Sequence, residues 1–257
     1  GFATFQLQSF DRRDVDSTVG SQVEVTTAMV ILDSYRALET LSSHPNINTD
    51  RAGITGPDGA SHHGLLDMML LSKVPGMTMF APSSYQELQQ MFSDALEITD
   101  GPIAIRYPRT PAPSVEEAEV GKGIRARHVS EGKDVCILSV GKMLPEAKEA
   151  AELLSAHGLT CSIWDVRCIT PLDNEMIVDA HGHKVVVTIE DGVSEGGVGS
   201  AISDMLQNLP AATPQIHVMG VPVSFIDQGN PQDLLTSLGL DAEGIVERVL
   251  SRFNKNP

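Results

Sequence analysis

Between residues 65 and 253, short apolar runs rich in β-branched residues alternate with stretches whose apolar residues recur at helical spacing. That alternation restricts the fold more than any other feature of the chain, because strands separated by helices pair in parallel and bury both faces of the sheet. Residues 65–71 form an apolar helical run that stops before Pro75-Gly76, and residues 77–80 read as a buried strand. Ser84-x-x-Glu87 is a capping box, with the Ser oxygen and Glu carboxylate expected to satisfy free amides at a helix start. Leu88, Met91, Phe92, Ala95 and Leu96 then mark one face of an amphipathic helix, and Pro102 precedes a strand over 103–107.

A second set of elements follows. Strands are expected at 135–140, 159–166, 184–189 and 216–219. One helix carries Ala147, Ala150, Ala151 and Leu154 on its apolar face and stops at His157-Gly158. A short helix is expected over 173–178. Another begins after Gly196-Gly197 with Val198, Ala201, Ile202, Met205 and Leu206 inward. The last carries Ile245, Val246, Val249, Leu250 and Phe253, capped by Asp241. The fold class is therefore α/β in two domains, each a mostly parallel sheet with helices on both faces. Pro111, Pro113, Gly121, Gly123 and Gly132, together with Glu116, Glu117 and Glu119, mark the connection. The boundaries are 1–112, a linker over 113–132, and 133–257; residues 12–49 are unplaced, although 23–32 read as a strand and 34–41 as a short helix before Pro45.

The chemistry concentrates in DRAGITGPDGASHHG, residues 50–64. This stretch has no apolar periodicity, and four glycines permit turns that a side chain would block. It brings Arg51, Asp58, His62 and His63 into one short loop. A guanidinium, a carboxylate and an imidazole held together can bind an anion and move protons near neutral pH. Arg106, at the end of a strand, is a second candidate, because strand ends of parallel sheets open onto ligand crevices. With Arg51 it would clamp a phosphate; the plain alternative is a pair of surface arginines in salt bridges.

Other signals are weaker. Gly197-Val198-Gly199 lacks the third glycine of a dinucleotide fingerprint, with Ile202 in its place, and reads as close packing of helix on strand. His62-His63 and His181-x-His183 lack a third ligand at a known zinc spacing, so no metal site is expected. Gly192-Val193-Ser194-Glu195-Gly196 fits the letters of a nucleophile elbow, a minor hydrolase reading. The formal net charge of −16 argues against nucleic-acid binding. Cys136 and Cys161 lie in apolar runs and read as buried thiols of a reducing compartment, which with the acidic composition suggests the cytoplasm. No apolar run is long enough to span a membrane.

DRAG, DGASHHG, VPGM followed by APSS, IRYPR, then PLD (171–173), TIEDG (188–192) and GGVGSA (196–201) occur in the order found in 1-deoxy-D-xylulose-5-phosphate synthases, which the chain resembles from Asp50 nearly to its end. These are thiamine-diphosphate enzymes of the transketolase superfamily. The resemblance implies an incomplete pyrimidine-binding domain followed by the transketolase C-terminal domain. It implies a role in joining pyruvate to glyceraldehyde 3-phosphate with loss of CO2, on the way to isoprenoids, thiamine and pyridoxal. By position, Arg51 and Arg106 would hold the aldehyde's phosphate. Asp58 and His62 would face the reacting carbons, with the imidazole as the proton-transfer group. Phe5 would stack on the cofactor's pyrimidine ring, although the family's Leu-Gln-Arg step reads Gln6-Leu7-Gln8 here. The ligands of the diphosphate and Mg2+ are expected on an N-terminal half that this sequence lacks. The chain alone should then be inactive and should need that half, in cis or trans, and a homodimer partner. Two alternatives stand beside this reading: a non-catalytic or partner subunit of transketolase or 2-oxo acid dehydrogenase beta type, and a gene fragment.

Overall fold

The computed structural model describes residues 64–253 apart from 99, 109, 110, 211, 227 and 228. Phe5, Arg51, Asp58, His62, His63 and the segment 12–49 lie outside the described residues.

Among the described residues, two sheets carry the fold. β1 (Thr78–Phe80) and β2 (Ile103–Ile105) pair in parallel, joined by α2 (Tyr85–Glu97). A short helix, α1 (Asp67–Leu71), precedes them. The second sheet is built from β3 (Arg127–Ser130), β4 (Val135–Ser139), β5 (Cys161–Asp165), β7 (Val185–Val193) and β8 (Gln215–Val221) in the order β3-β5-β4-β7-β8. Every pairing in it is parallel except that of β3, which lies antiparallel on the edge. Residues 127–130, placed within the connection by the sequence reading, are thus a strand of this sheet.

Side chains alternate across a strand, so one strand feeds two cores. Val135 and Ile137 face α3 (Leu144–Ala156) and α7 (Ala242–Phe253), meeting Ala147, Ala150, Leu154, Ile245 and Val249. Cys136 and Leu138 face α4 (Asn174–His181) and α5 (Val198–Gln207), meeting Met176, Ile177, Val198, Ile202 and Leu206. Helices cover both faces, as the strand–helix alternation implies. Gly158, at φ +77°, ends α3 in the left-handed conformation that a Cβ disfavours. Asp241 accepts from the Gly244 amide at 2.9 Å and caps α7. A further helix, α6 (Pro231–Ser237), starts on Asn230 with Pro at its first position, a start signal that the apolar spacing overlooks. No helix among the described residues is long and apolar enough to cross a membrane.

The capping box is only half formed. Ser84 Oγ accepts from the Glu87 amide at 3.1 Å, and Ser84→Ala should lower stability by about 1 kcal/mol in urea unfolding. The Glu87 carboxylate does not turn back to the helix start. It is fully buried, accepting from the Gly121 amide at 2.7 Å and from Arg167 Nε at 2.8 Å. This rolls α2 so that Glu87, Met91 and Ala95 point inward. Phe92 and Leu96, expected on the buried face, are 42% and 47% exposed.

Arg167 is also where the chain changes sheets. It is a non-glycine residue at φ +54°, and its fully buried guanidinium donates to the carbonyls of Lys122, Gly123 and Arg125. Its own carbonyl accepts from the Ala81 amide at 2.7 Å. The next strand, β6 (Cys168–Thr170), leaves the five-stranded sheet and pairs antiparallel with β1, giving the order β2-β1-β6. A Cβ at Gly121 would run into the Arg167 side chain, so glycine lets the backbone lie against it.

Candidate active site at the seam between the sheets

Arg106 directly follows β2, and its amide donates to the Phe80 carbonyl at 2.8 Å. The adjoining strand end therefore fixes its backbone. Its guanidinium reaches across to the second sheet, where Nη1 pairs with Asp191 of β7 and Nε lies 3.5 Å from Asp67 of α1. Lys142, in the turn after β4, places Nζ 3.4 Å from the other Asp191 oxygen. The C-terminal ends of β2, β4 and β7 thus meet in one partly buried charge cluster, at the edge where parallel sheets open onto ligands.

Burial by itself would raise the Asp191 carboxyl, but Arg106 and then Lys142 outweigh it and hold the group below its ordinary range. For Asp67, burial dominates over Arg106 and leaves the carboxyl raised. Burial also opposes the Arg106 charge, yet Asp191 and Asp67 together raise its pKa. The Arg106–Asp191 pair is the core of the cluster. Two cations and two carboxylates balance, so these four groups alone offer no net field for an anion. Nη1 and Nε of Arg106 are thus engaged by the two carboxylates.

Glu190, beside Asp191, turns the other way and is fully buried. It accepts from the amides of Val198 (3.2 Å) and Gly199 (2.8 Å) at the start of α5. Burial raises its carboxyl to about 7, although the two amides pull it back. The glycine-led helix start is therefore closed by the protein's own carboxylate. A Cβ at Gly199 would collide with Thr188 and Val218, in agreement with close packing as the reason for those glycines.

The stretch 50–64 enters the described residues at Gly64. The Leu65 carbonyl accepts from the Val193 amide at 3.0 Å, which fixes the chain two residues beyond Asp191. Asp67, five positions after His62 in sequence, touches Arg106. Of the sequence-derived site residues, only Arg106 falls within the described residues. The sequence reading assigns no role to Asp67, Lys142, Glu190 and Asp191, although a lone Asp inside the apolar run of residues 65–71 and the acidic pair of TIEDG are visible signals. Ser194 Oγ donates to the Val221 carbonyl at 3.4 Å, and among the described residues no histidine bonds to it, which removes support for the hydrolase reading.

Residues 125–245 match the family described as "Transketolase, C-terminal domain", and residues 23–114 match "Transketolase, pyrimidine binding domain". The second match begins inside the segment 12–49 that the motifs leave unplaced. A 1-deoxy-D-xylulose-5-phosphate synthase of Chlorobium luteolum is 41% identical over 228 residues, covering 86% of this chain and 35% of its own length. One from Proteus mirabilis is 37% identical, covering 78% and 32%. The chain thus spans about a third of the length of these curated relatives. A Pichia stipitis transketolase, at TM-score 0.64 and 15% identity over 88% of this chain and 33% of its own, shares the fold. A solved structure described as "Split gene transketolase, inactive beta4 tetramer" is matched over 86% of this chain and 73% of its own, with TM-score 0.73 and 30% identity. At that identity and coverage, and with both domains in order along the sequence, the chain belongs to the transketolase family.

Proposed function

We propose that this chain forms the pyrimidine-side and C-terminal part of a thiamine-diphosphate synthase. The enzyme would join pyruvate to glyceraldehyde 3-phosphate with loss of CO2, giving 1-deoxy-D-xylulose 5-phosphate. The observation that carries the reading is the contact between Arg106 and Asp67, which ties the strand-end arginine to the residues that follow DRAGITGPDGASHHG in sequence. The relatives named for this reaction are 41% and 37% identical.

In this reading Asp191 and Asp67 orient Arg106, and its Nη2 edge meets the aldehyde's phosphate. Arg51 supplies the second guanidinium and the positive charge that the balanced cluster lacks. Asp58 and His62 bond to the hydroxyl or carboxyl groups at the reacting end, with His62 moving the proton. Phe5 covers one face of the pyrimidine ring. When bound, the cofactor supplies the carbanion chemistry. The described residues do not fit its diphosphate or Mg2+. The start of α5 is filled by Glu190, and the cluster of Cys136, Asp179 and His183 offers sulfur and nitrogen rather than the oxygen set Mg2+ requires. Those ligands are assigned to the remaining two thirds of the relatives' length, in the same polypeptide or a partner, within a homodimer. The chain alone is then inactive.

The test is to combine the purified chain with a polypeptide carrying that remaining part, then measure thiamine diphosphate binding and product formation. Arg106→Leu should raise KM for glyceraldehyde 3-phosphate by roughly 10–100-fold, the worth of lost charge-assisted hydrogen bonds. KM for pyruvate should stay put, and Arg106→Lys should recover part of the loss. A combined preparation that binds no thiamine diphosphate would defeat the proposal. The split-gene transketolase favours a second reading, a separate subunit of transketolase type. Turnover of ketose phosphates in place of pyruvate would select it.

A further inference from the structure

Cys136, Asp179 and His183 are far apart in sequence, but their candidate ligand atoms all lie within 4.8 Å of one another. Cys136 comes from β4 and is fully buried. Asp179 lies in the last turn of α4, with His183 four positions later, so both lie on the same side of the helix end. Asp179 and His183 are both half-buried, which leaves the group open to solvent on one side.

The surroundings resemble the outer shell of a metal site. Trp164 Nε1 donates to Asp179 Oδ2 at 2.8 Å, holding one carboxylate oxygen and leaving the other to ligate. His183 Nδ1 lies 3.0 Å from the Asp179 carbonyl oxygen, and Nε2 lies 3.2 Å from that of Gly132. A carbonyl oxygen only accepts, and a neutral imidazole has one N–H and one lone pair. Whichever nitrogen carries the proton, the other presents its lone pair to an oxygen. A metal would take one of these nitrogens in place of its carbonyl, while the other keeps the carbonyl bond usual for metal-bound histidine. Thiolate, imidazole and carboxylate together suit Zn2+ rather than Mg2+ or Ca2+, and three protein ligands leave a fourth position for water.

We propose that Cys136, Asp179 and His183 form a zinc site whose fourth position opens to water at the C-terminal end of α4. Binding converts the Cys136 thiol to a thiolate and releases its proton to solvent. Burial and then Asp179 keep that thiol well above its ordinary pKa without metal, so affinity should rise with pH. The ion would clip the end of α4 to β4, and folded stability should climb with free Zn2+.

The test uses Co2+ as a spectroscopic substitute on the full chain. The expected result is a thiolate-to-cobalt absorption band that saturates at about one equivalent and is displaced by Zn2+, with a change in the emission of Trp164, the chain's single tryptophan. Asp179→Asn and His183→Gln, at the accessible side, should each weaken binding at least tenfold, about 1.4 kcal/mol or more. Circular dichroism without metal would confirm that both variants fold. Cys136→Ala should abolish the band, while Cys161 and Cys168 remain as internal controls. No band, a band surviving in Cys136→Ala, or a loss below tenfold in both surface variants would overturn the site.

Discussion

Arg167→Met will cost the folded chain about 3–5 kcal/mol, the usual penalty for breaking a buried ion pair from one side. Arg167 and Glu87 have side chains that are both fully buried, and Nε donates to Oε2 at 2.8 Å. Removing the guanidinium strands the Glu87 carboxylate, whose next cation is Arg127 at 3.7 Å. It also takes away the donor to the carbonyls of Lys122, Gly123 and Arg125. Methionine at position 167 would take the same left-handed backbone conformation as the arginine it replaces, so the loss reports the side chain. Against a typical stability of about 5–15 kcal/mol, this is a large fraction. Urea unfolding of the parent, Arg167→Met, Glu87→Leu and the double variant measures it. The double variant should lose less than the two singles combined, because no charge is left unpaired. A loss under about 1 kcal/mol in Arg167→Met would show that the clasp between the sheets is not held by this pair.

Glu190→Gln should make the protein more stable at pH 8 and leave it nearly unchanged at pH 4. Burial lifts the folded-state carboxyl to about 7 from 4.5, with the Val198 and Gly199 amides opposing the shift. The folded state holds this proton more tightly than the unfolded state. The stabilisation is therefore complete below the unfolded pKa and is lost as pH rises through about 7. At 1.36 kcal/mol per pKa unit, the swing is up to about 3 kcal/mol. Glutamine keeps an oxygen for one of the two amides and has no proton to lose. Asp165, raised to about 6 chiefly by burial, acts in the same direction at lower pH. The parent-minus-variant difference isolates Glu190. Parallel pH–stability curves for parent and variant would refute the assignment.

The two residues differ in how far sequence could reach them. Glu87 looked like the second half of a capping box, since its spacing from Ser84 is right. Local pattern could not foresee Arg167, 80 positions away, as a stronger partner. Glu190 was noticed within TIEDG, but nothing local says that it turns back onto the helix that follows. Arg106 was legible as a strand-end arginine. Its carboxylate partners were not, because Asp67 and Asp191 lie on separate elements. Along the chain His181-x-His183 has no third ligand at a zinc spacing, while the cysteine beside His183 comes from a strand 47 positions earlier.

Sequence alone determined the succession of strands and helices, the two-sided burial of the main sheet and the family motifs. These depend on periodicity and short-range turn chemistry, which a linear string records directly. Only the tertiary structure decided that β6 crosses to the first sheet, that α2 rolls to bury Glu87, and that Arg106 faces Asp67 and Asp191. Those outcomes depend on which charges share a low-dielectric seam. The cost of leaving any one of them unpaired is settled by groups distant in sequence and close in space.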